Sequence, residues 1–405
     1  MKIKIVTLGC KLNFAESSAI MQQLLNDGHT KAKTGEQADI VIVNTCTVTD
    51  TADHKDRQAI HRLRRENPNA KIIMTGCYAA LIKQKQDRGE QLPSADNTIL
   101  SEIDILKPKD LINFVNAYSR DDRTRCFLKV QDGCNYFCTY CTIPFARGRS
   151  RNPYIKDIVA QAEQALTNGA KEIILTGVNI GDFGRSTNET FLSLIQALDE
   201  LKSQENYRIR ISSCEPNLLS DEIIDFVAQS HHFAPHFHIP LQSGSNEVLQ
   251  IMHRRYNREL FAERVEHIKR VIPNAFIGVD CMVGVRGETE EYFNDYVQFI
   301  SSLPVSQLHV FTYSERANTR MLEMDLYVVS QKERERRSKI LHKISEDKLA
   351  QFYAQHEGSV ATVLWESKKV EDKMFGFTEN YIKVSRPFDR TKINTFERIT
   401  VQLPH

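Results

Sequence analysis

Apolar positions along this chain alternate between two textures, short strand-like runs and helical stripes. Residues 3–8 alternate as a strand. Asn13 then predicts a helix cap, with Glu16 three places on as its capping-box partner. Ile20, Met21, Leu24 and Leu25 would form the buried stripe of that helix, which Gly28 ends. Residues 40–43 are continuously apolar, as in a strand covered on both faces. Residues 51–66 predict a charged helix stopped near Pro68, and residues 70–75 a third strand. Up to about residue 93, the pattern predicts a small doubly wound parallel sheet.

Residues 94–125 read as a connection, with a helix around 110–118 leading into the charge run 120–125. From Cys126 to about Met321, strand and helix alternate again. Candidate strands are 127–130, 172–176, 208–213, 236–241, 276–282 and 307–313, and periodicity does not distinguish an open sheet from a partial barrel. Residues 331–355 predict a long helix with Glu333–Arg337 and Glu335–Lys339 pairs and a buried side of Ile340, Leu341 and Ile344. Beyond Gly358, the short runs 360–365, 381–384 and 399–403 suggest a small antiparallel barrel. There Trp365, Phe375, Phe377 and Tyr381 either stack bases or fill a core. The fold class is α/β, multidomain.

Composition narrows the setting. A chain of 405 residues, 41% hydrophobic, is expected to form two or three domains. Residues 1–8 lack the apolar stretch of a signal peptide, and no segment approaches the roughly 20 apolar residues of a membrane helix. The expectation is a reducing, cytoplasmic setting without a membrane, in which the nine cysteines form no disulfide framework and are more readily metal ligands or catalysts. A net charge of +1 does not itself point to nucleic acid, yet local basic clusters suffice to hold a polyanion. Arg147, Arg149 and Arg151 form one cluster. His253, Arg254, Arg255 and Arg258 form another, equally readable as solvated loop charge.

The strongest chemical signal is Cys134, Cys138 and Cys141. Three thiolates hold three corners of a [4Fe–4S] cluster, which usually takes four cysteines, and leave one iron open. Zinc or a redox dithiol is the competing reading of Cys-x-x-Cys, but no clear second ligand pair follows. Cys10, Cys46 and Cys77 each lie just past the carboxyl end of a predicted parallel strand, the rim where open α/β sheets bind ligands. Three cysteines on one rim suggest a second three-ligand iron–sulfur site, although free cysteine is also a common buried residue. On the central strand ends, Gly177, Asn179, Ser213, Glu215, Gln242, Ser243 and Asp280 are candidates for gripping a small-molecule cofactor, each also readable as a turn former. Cys126, Cys214 and Cys281 are left as structural, with Cys281 expected nearest the cavity.

The run from Cys134 through Cys141 and on to Arg151 resembles the radical S-adenosylmethionine (SAM) enzymes, and specifically their methylthiotransferases. Thr7-Leu8-Gly9-Cys10, Asn44-Thr45-Cys46-Thr47-Val48 and Thr75-Gly76-Cys77-Tyr78 resemble that family's N-terminal motifs. The resemblance implies two [4Fe–4S] clusters: one whose open iron is chelated by SAM, and a second that carries the sulfur to be transferred. It also implies an incomplete (β/α)6 barrel over 119–355, following an N-terminal domain over 1–118 and preceding a TRAM-like RNA-binding barrel over 356–405. The expected reaction replaces C–H by C–SCH3 and consumes two SAM. One SAM is cleaved to a 5′-deoxyadenosyl radical.

Family branches act on isopentenyladenosine in tRNA, threonylcarbamoyladenosine in tRNA, or an aspartate of a ribosomal protein. Residues 44–49, 143–148 and 210–216 resemble the threonylcarbamoyladenosine branch, whose target lies 3′ of the anticodon. Partners would be the tRNA anticodon arm, an electron donor such as flavodoxin or ferredoxin, and a sulfur donor. Arg147, Arg149 or Arg151 would hold the anticodon arm or the substrate carboxylate. Val285 and Arg286 depart from the family pattern before Gly-Glu-Thr, where Arg286 could reshape the loop or contact phosphate. A non-catalytic two-cluster redox protein is the rival from another class.

Overall fold

The computed structural model describes residues 1–90, 103–105, 115–119, 124–202 and 206–403. Its first part runs β1 (Lys2–Thr7), α1 (Lys11–Asn26), β2 (Thr30–Lys31), β3 (Ile40–Thr45), α2 (Asp50–Glu66), β4 (Lys71–Thr75), α3 (Gly76–Asp87) and β5 (Asp104–Ile105). The strands form a parallel sheet in the order β2-β1-β3-β4-β5. Val41, Val43, Ile72 and Met74 cluster with Ile60 and Leu63 of α2. Thr49 caps α2 by accepting a hydrogen bond from the Ala52 amide at 3.1 Å. The doubly wound sheet is therefore as expected, with two-residue edge strands too short to read from periodicity.

Helix α1 differs from its expectation. Cys10 is its N-cap and Lys11 its first residue, so Asn13 sits inside the first turn and Glu16 closes no capping box. Its buried residues include Leu12, Asn13, Ala15 and Ser17; Ile20, Met21 and Leu24 are half-buried, and Leu25 is exposed. Ala15 packs with Phe127 and Ile174 of the central part. Small residues on that face let the helix approach the strands closely, which an Ile–Leu stripe would prevent. The helix expected over 110–118 lies largely outside the described residues; 115–119 are not helical, and Tyr118 bridges to Leu128.

The central part runs β6 (Arg125–Lys129), α4 (Ile143–Arg147), α5 (Ile155–Thr167), β7 (Glu172–Thr176), α6 (Phe191–Asp199), β8 (Arg208–Ile211), α7 (Asp221–Gln229), β9 (His236–Gln242), α8 (Asn246–Ile251), α9 (Arg258–Val271), β10 (Phe276–Val283), α10 (Glu290–Ser302) and β11 (Gln307–Thr312). Its strands form two parallel sheets, β6-β7-β8 and β9-β10-β11. Parallel bridges Ile209↔Phe233 and Ser213↔His238 continue one toward the other. Alternate side chains such as Leu128, Ile173, Leu175 and Ile209 join the apolar core under the helices. The intervening positions carry polar groups: Lys129, Glu172, Arg208, Arg210, His236 and Asp280. Strand periodicity thus separates a dry outer face from a charged interior.

Helix α11 (Gln331–Ala354) packs on β11. The expected pairing of Arg337 with Glu333 is replaced: Arg337 is buried against Glu288 and Glu290, and Glu333 takes Arg336. Strands β12 (Val360–Val370), β13 (Lys373–Phe377), β14 (Lys383–Pro387) and β15 (Phe396–Thr400) form an antiparallel sheet in the order β14-β13-β12-β15. This sheet lies against the amino ends of the central strands. Arg208 donates to the Thr362 and Phe377 carbonyls at 3.3 and 3.2 Å, and Arg210 to that of Glu379 at 3.2 Å. Trp365 is core; Phe377 and Tyr381 stack on each other beneath Arg125 and Arg210. Three of the four candidate base-stacking rings are thereby turned inward. No helix among the described residues is long and apolar enough to cross a membrane.

Two cysteine triads and the candidate cofactor site

Cys10, Cys46 and Cys77 converge because three adjacent parallel strands end together. Leu8 donates its amide to the Asn44 carbonyl at 2.8 Å, and Thr45 bridges to Gly76. Gly9, at φ +120°, lies so close to Cys46 that a Cβ there would stand 2.8 Å from the Cys46 Cβ. Gly76 is tighter still, with an added Cβ 2.4 Å from the Thr45 carbonyl oxygen. Asn13 knits the loops together: its Nδ2 donates to the Leu8 and Thr45 carbonyls at 3.2 and 2.8 Å, and its Oδ1 accepts from Cys10 Sγ at 3.3 Å. Burial pushes the Cys77 thiol up to about 12, Cys10 and Cys46 adding to the rise against Arg147.

The second triad lies on the loop after β6. Gln131 anchors that loop: its Oε1 accepts from the Val178 and Asn179 amides at 2.9 Å each, and its Nε2 donates to the Gly133 carbonyl at 2.7 Å. Burial pushes Cys134 up to about 12 and raises Cys138 and Cys141 as well, with Cys138 adding to the rise at the other two and Glu215 to that at Cys138. Arg254 opposes this at Cys138, donating to its Sγ at 3.1 Å and pairing with Glu215. Tyr256 supports Arg254, accepting from its Nε at 3.1 Å while donating to the Pro240 carbonyl at 2.6 Å. Arg254 thus joins the cysteine loop to the ends of β8 and β9.

All nine cysteines are free. Among the described residues, no group of three or more His, Cys, Asp or Glu is gathered as a single metal ion requires. A cubane takes each cysteine on a different iron and so suits a wider set. The rim next to Cys134 has matching unmet polar capacity. Asn179 is buried with neither side-chain polar atom bonded, and Gln242 Oε1 and Asp182 Oδ2 are also without partners. Buried polar atoms are ordinarily satisfied, so these fit the polar groups of a ligand. Gly177 leaves space beside Gln131, where a Cβ would come within 2.9 Å of Oε1. Gln242 holds a left-handed conformation, φ 66°. The residues present fit a cluster and SAM.

Other expected site residues divide. Glu215 faces Cys138 through Arg254, while Ser243 is buried and its Oγ accepts from the Ser245 amide at 3.3 Å. Asp280 lies deeper: His238 Nε2 stands 2.7 Å from its Oδ1 and, outweighing burial, holds its carboxyl below the usual range. Cys281 points into the apolar core rather than the cavity. Arg147 is buried, donating to Glu16, Asp132, Asn13 and Cys77. Arg151 is buried against Asp132, which leaves only Arg149 of the three exposed. Arg286 pairs with Glu315 at 3.0 Å. Sequence reasoning passed over Gln131 and Lys11 and left Arg254 in a surface patch. Lys11 is half-buried at the start of α1, and burial, with Arg125 and Arg210, pushes its ammonium down to about 8.

Residues 128–300 match the radical SAM superfamily, and residues 2–97 match the uncharacterized protein family UPF0004. The chain is 38% identical to threonylcarbamoyladenosine tRNA methylthiotransferase MtaB of Bacillus subtilis, over 93% of this chain and 88% of that protein. It is 29% identical to tRNA-2-methylthio-N(6)-dimethylallyladenosine synthase of Clostridium botulinum, over 98% and 93%. Among solved structures, the radical SAM methyltransferase TsrM of Kitasatospora setae, with cobalamin and a [4Fe–4S] cluster bound, matches at 14% identity and TM-score 0.54, covering 79% of this chain and 76% of that one. That likeness concerns the fold. Two triads on strand-end rims, and relatives of this identity along nearly the whole chain, make the protein a member of the radical SAM methylthiotransferase family.

Proposed function

We propose that this protein replaces the C2 hydrogen of N6-threonylcarbamoyladenosine at position 37 of tRNA with a methylthio group, using two SAM molecules and two [4Fe–4S] clusters. The observation that carries this reading is that the two triads belong to one connected site: Arg147, at the end of the short helix α4 that follows Cys141, donates to Cys77 Sγ at 3.1 Å. When bound, the cofactors supply one-electron SAM cleavage at Cys134, Cys138 and Cys141 and the transferable sulfur at Cys10, Cys46 and Cys77. The chain's own residues bind, orient and exclude water. Gly177, Asn179, Ser213, Glu215, Gln242, Ser243 and Asp280 grip SAM, with His238 holding Asp280 in place. Arg149 receives the anticodon arm, where an unpaired loop base is presented at small cost.

The six parallel strands serve as an incomplete (β/α)6 barrel over 119–355. Residues 1–118 present the second cluster, and the C-terminal sheet over 356–405 is a TRAM-like tRNA-binding module. Flavodoxin or ferredoxin as reductant, a separate sulfur donor and a cytoplasmic setting complete the reading. The test is anaerobic incubation of reconstituted protein with SAM, reductant and tRNA. 5′-Deoxyadenosine and 2-methylthio-N6-threonylcarbamoyladenosine are expected products. Absence of 5′-deoxyadenosine would favour a redox carrier, and a methylthio group on isopentenyladenosine or on a ribosomal-protein aspartate would move the enzyme to another branch.

A further inference from the structure

We propose that Lys11 binds the carboxylate of the substrate's threonylcarbamoyl group and thereby distinguishes a substrate bearing an acid on N6 from one bearing a hydrocarbon. This rests on the substrate reading above. A carboxylate delivered into a half-buried site calls for a cation that is not already engaged. The interior cations are nearly all engaged. Lys129 pairs with Glu16 and Asp132 at 2.9 and 2.8 Å, and Arg147 with the same two acids. Arg208 and Arg210 share Glu172, and Arg254 holds Glu215.

Lys11 stands apart from these. It is half-buried and has no ion pair or hydrogen bond among the described residues. Two interior carboxylates, Glu172 of β7 and Asp280 of β10, form no ion pair with it. Both of those carboxylates already have partners, Glu172 in two arginines and Asp280 in His238 at 2.7 Å. Holding a charge in such a place without a counter-ion is unfavourable, and a ligand anion relieves it. Lys11 also directly follows Cys10. The carboxylate on N6 and the reacting C2 belong to one base, so the residue that fixes the first must lie near the triad that serves the second.

The test measures binding of three anticodon stem-loop RNAs to the anaerobically reconstituted full chain. One carries N6-threonylcarbamoyladenosine, one the same nucleoside with its carboxylate capped as the methylamide, and one isopentenyladenosine. Wild-type protein is expected to bind the acid at least about tenfold more tightly than the amide. Lys11→Gln should bring that ratio to within about twofold of unity, and Lys11→Arg should keep part of it. A ratio that survives Lys11→Gln overturns the assignment and leaves the substrate reading standing. Equal wild-type affinity for acid and amide overturns it without any variant, so a misfolded Lys11→Gln protein would not protect it. Wild-type preference for the isopentenyladenosine RNA removes the substrate reading, and this assignment with it.

Discussion

Arg147 donates from Nε to Cys77 Sγ across 3.1 Å, and so ties the helix after one cysteine triad to a member of the other. The same guanidinium satisfies Glu16 and Asp132, two acids that lie far apart in the chain. Arg147→Gln leaves both acids with fewer partners in a buried place. The metal-free chain is expected to lose about 3 kcal/mol, the lower end for breaking a buried pair, because Lys129 and Arg151 remain. Urea unfolding checks this. Iron content of the reconstituted variant should fall at the Cys10, Cys46 and Cys77 site first.

Gly9→Ala should separate the two triads. A Cβ at this position meets the Cys46 Cβ at 2.8 Å, and the backbone is left-handed at φ +120°. The strand-end loops must move apart, and Cys10 moves with them. Iron per reconstituted chain should drop from about eight to about four atoms, while SAM cleavage to 5′-deoxyadenosine continues and methylthiolation is lost. Retention of both clusters would mean that the close approach of Gly9 to Cys46 is not needed for the site.

The difference between what was legible and what was not follows from sequence distance. Residues 40–43 and 172–176 showed as strands because a continuous apolar run at a buried strand is a local signal. Cys10, Cys46 and Cys77 could be brought together because parallel strands share one carboxyl rim. Arg147 and Arg254 could not be told from surface charge: their partners Glu16, Asp132 and Glu215 lie 131, 15 and 39 residues away, and an arginine reads the same whether paired or solvated. Asn13 misled because its spacing to Glu16 imitates a capping box, whereas both side chains are committed to tertiary partners. Lys11 carries no local mark at all, since only the packing of α1 against β6 and β7 turns it inward.

Arg254 supplies the hydrogen bond to Cys138 and the counter-charge for Glu215. Arg254→Met removes both, with Glu215 still held in a site whose burial already raises its pKa. Donors to cluster sulfurs stabilise the reduced state, so the potential of the Cys134, Cys138 and Cys141 cluster should fall by on the order of 60 mV, a tenfold change for one electron. An electrochemical titration followed by electron paramagnetic resonance reads this directly. Arg254→Lys should recover part of the shift, which a purely structural role would not require.

Glu172 sets the acid limit of the joint between the central strands and the C-terminal sheet. Burial alone would raise its pKa, but Arg208 and Arg210 outweigh burial and hold it at about 2. An unfolded glutamate titrates near about 4.3. The folded value is the lower one, so the stabilisation is fully present above about pH 4.3 and is lost as pH falls toward 2, at most about 3 kcal/mol in all. Glu172→Gln leaves both arginines without their acid, although they still donate to the Thr362, Phe377 and Glu379 carbonyls. The variant should therefore be less stable at pH 7, yet lose stability less steeply between about pH 4.3 and 2.5, by nearly one proton. Urea unfolding of both proteins across that range decides it. Parallel acid limbs would mean that the two arginines do not hold Glu172 ionised, and the C-terminal sheet would then owe its seat to the arginine–carbonyl bonds, the Arg125–Glu366 pair and the apolar contacts around Phe276, Phe352 and Trp365.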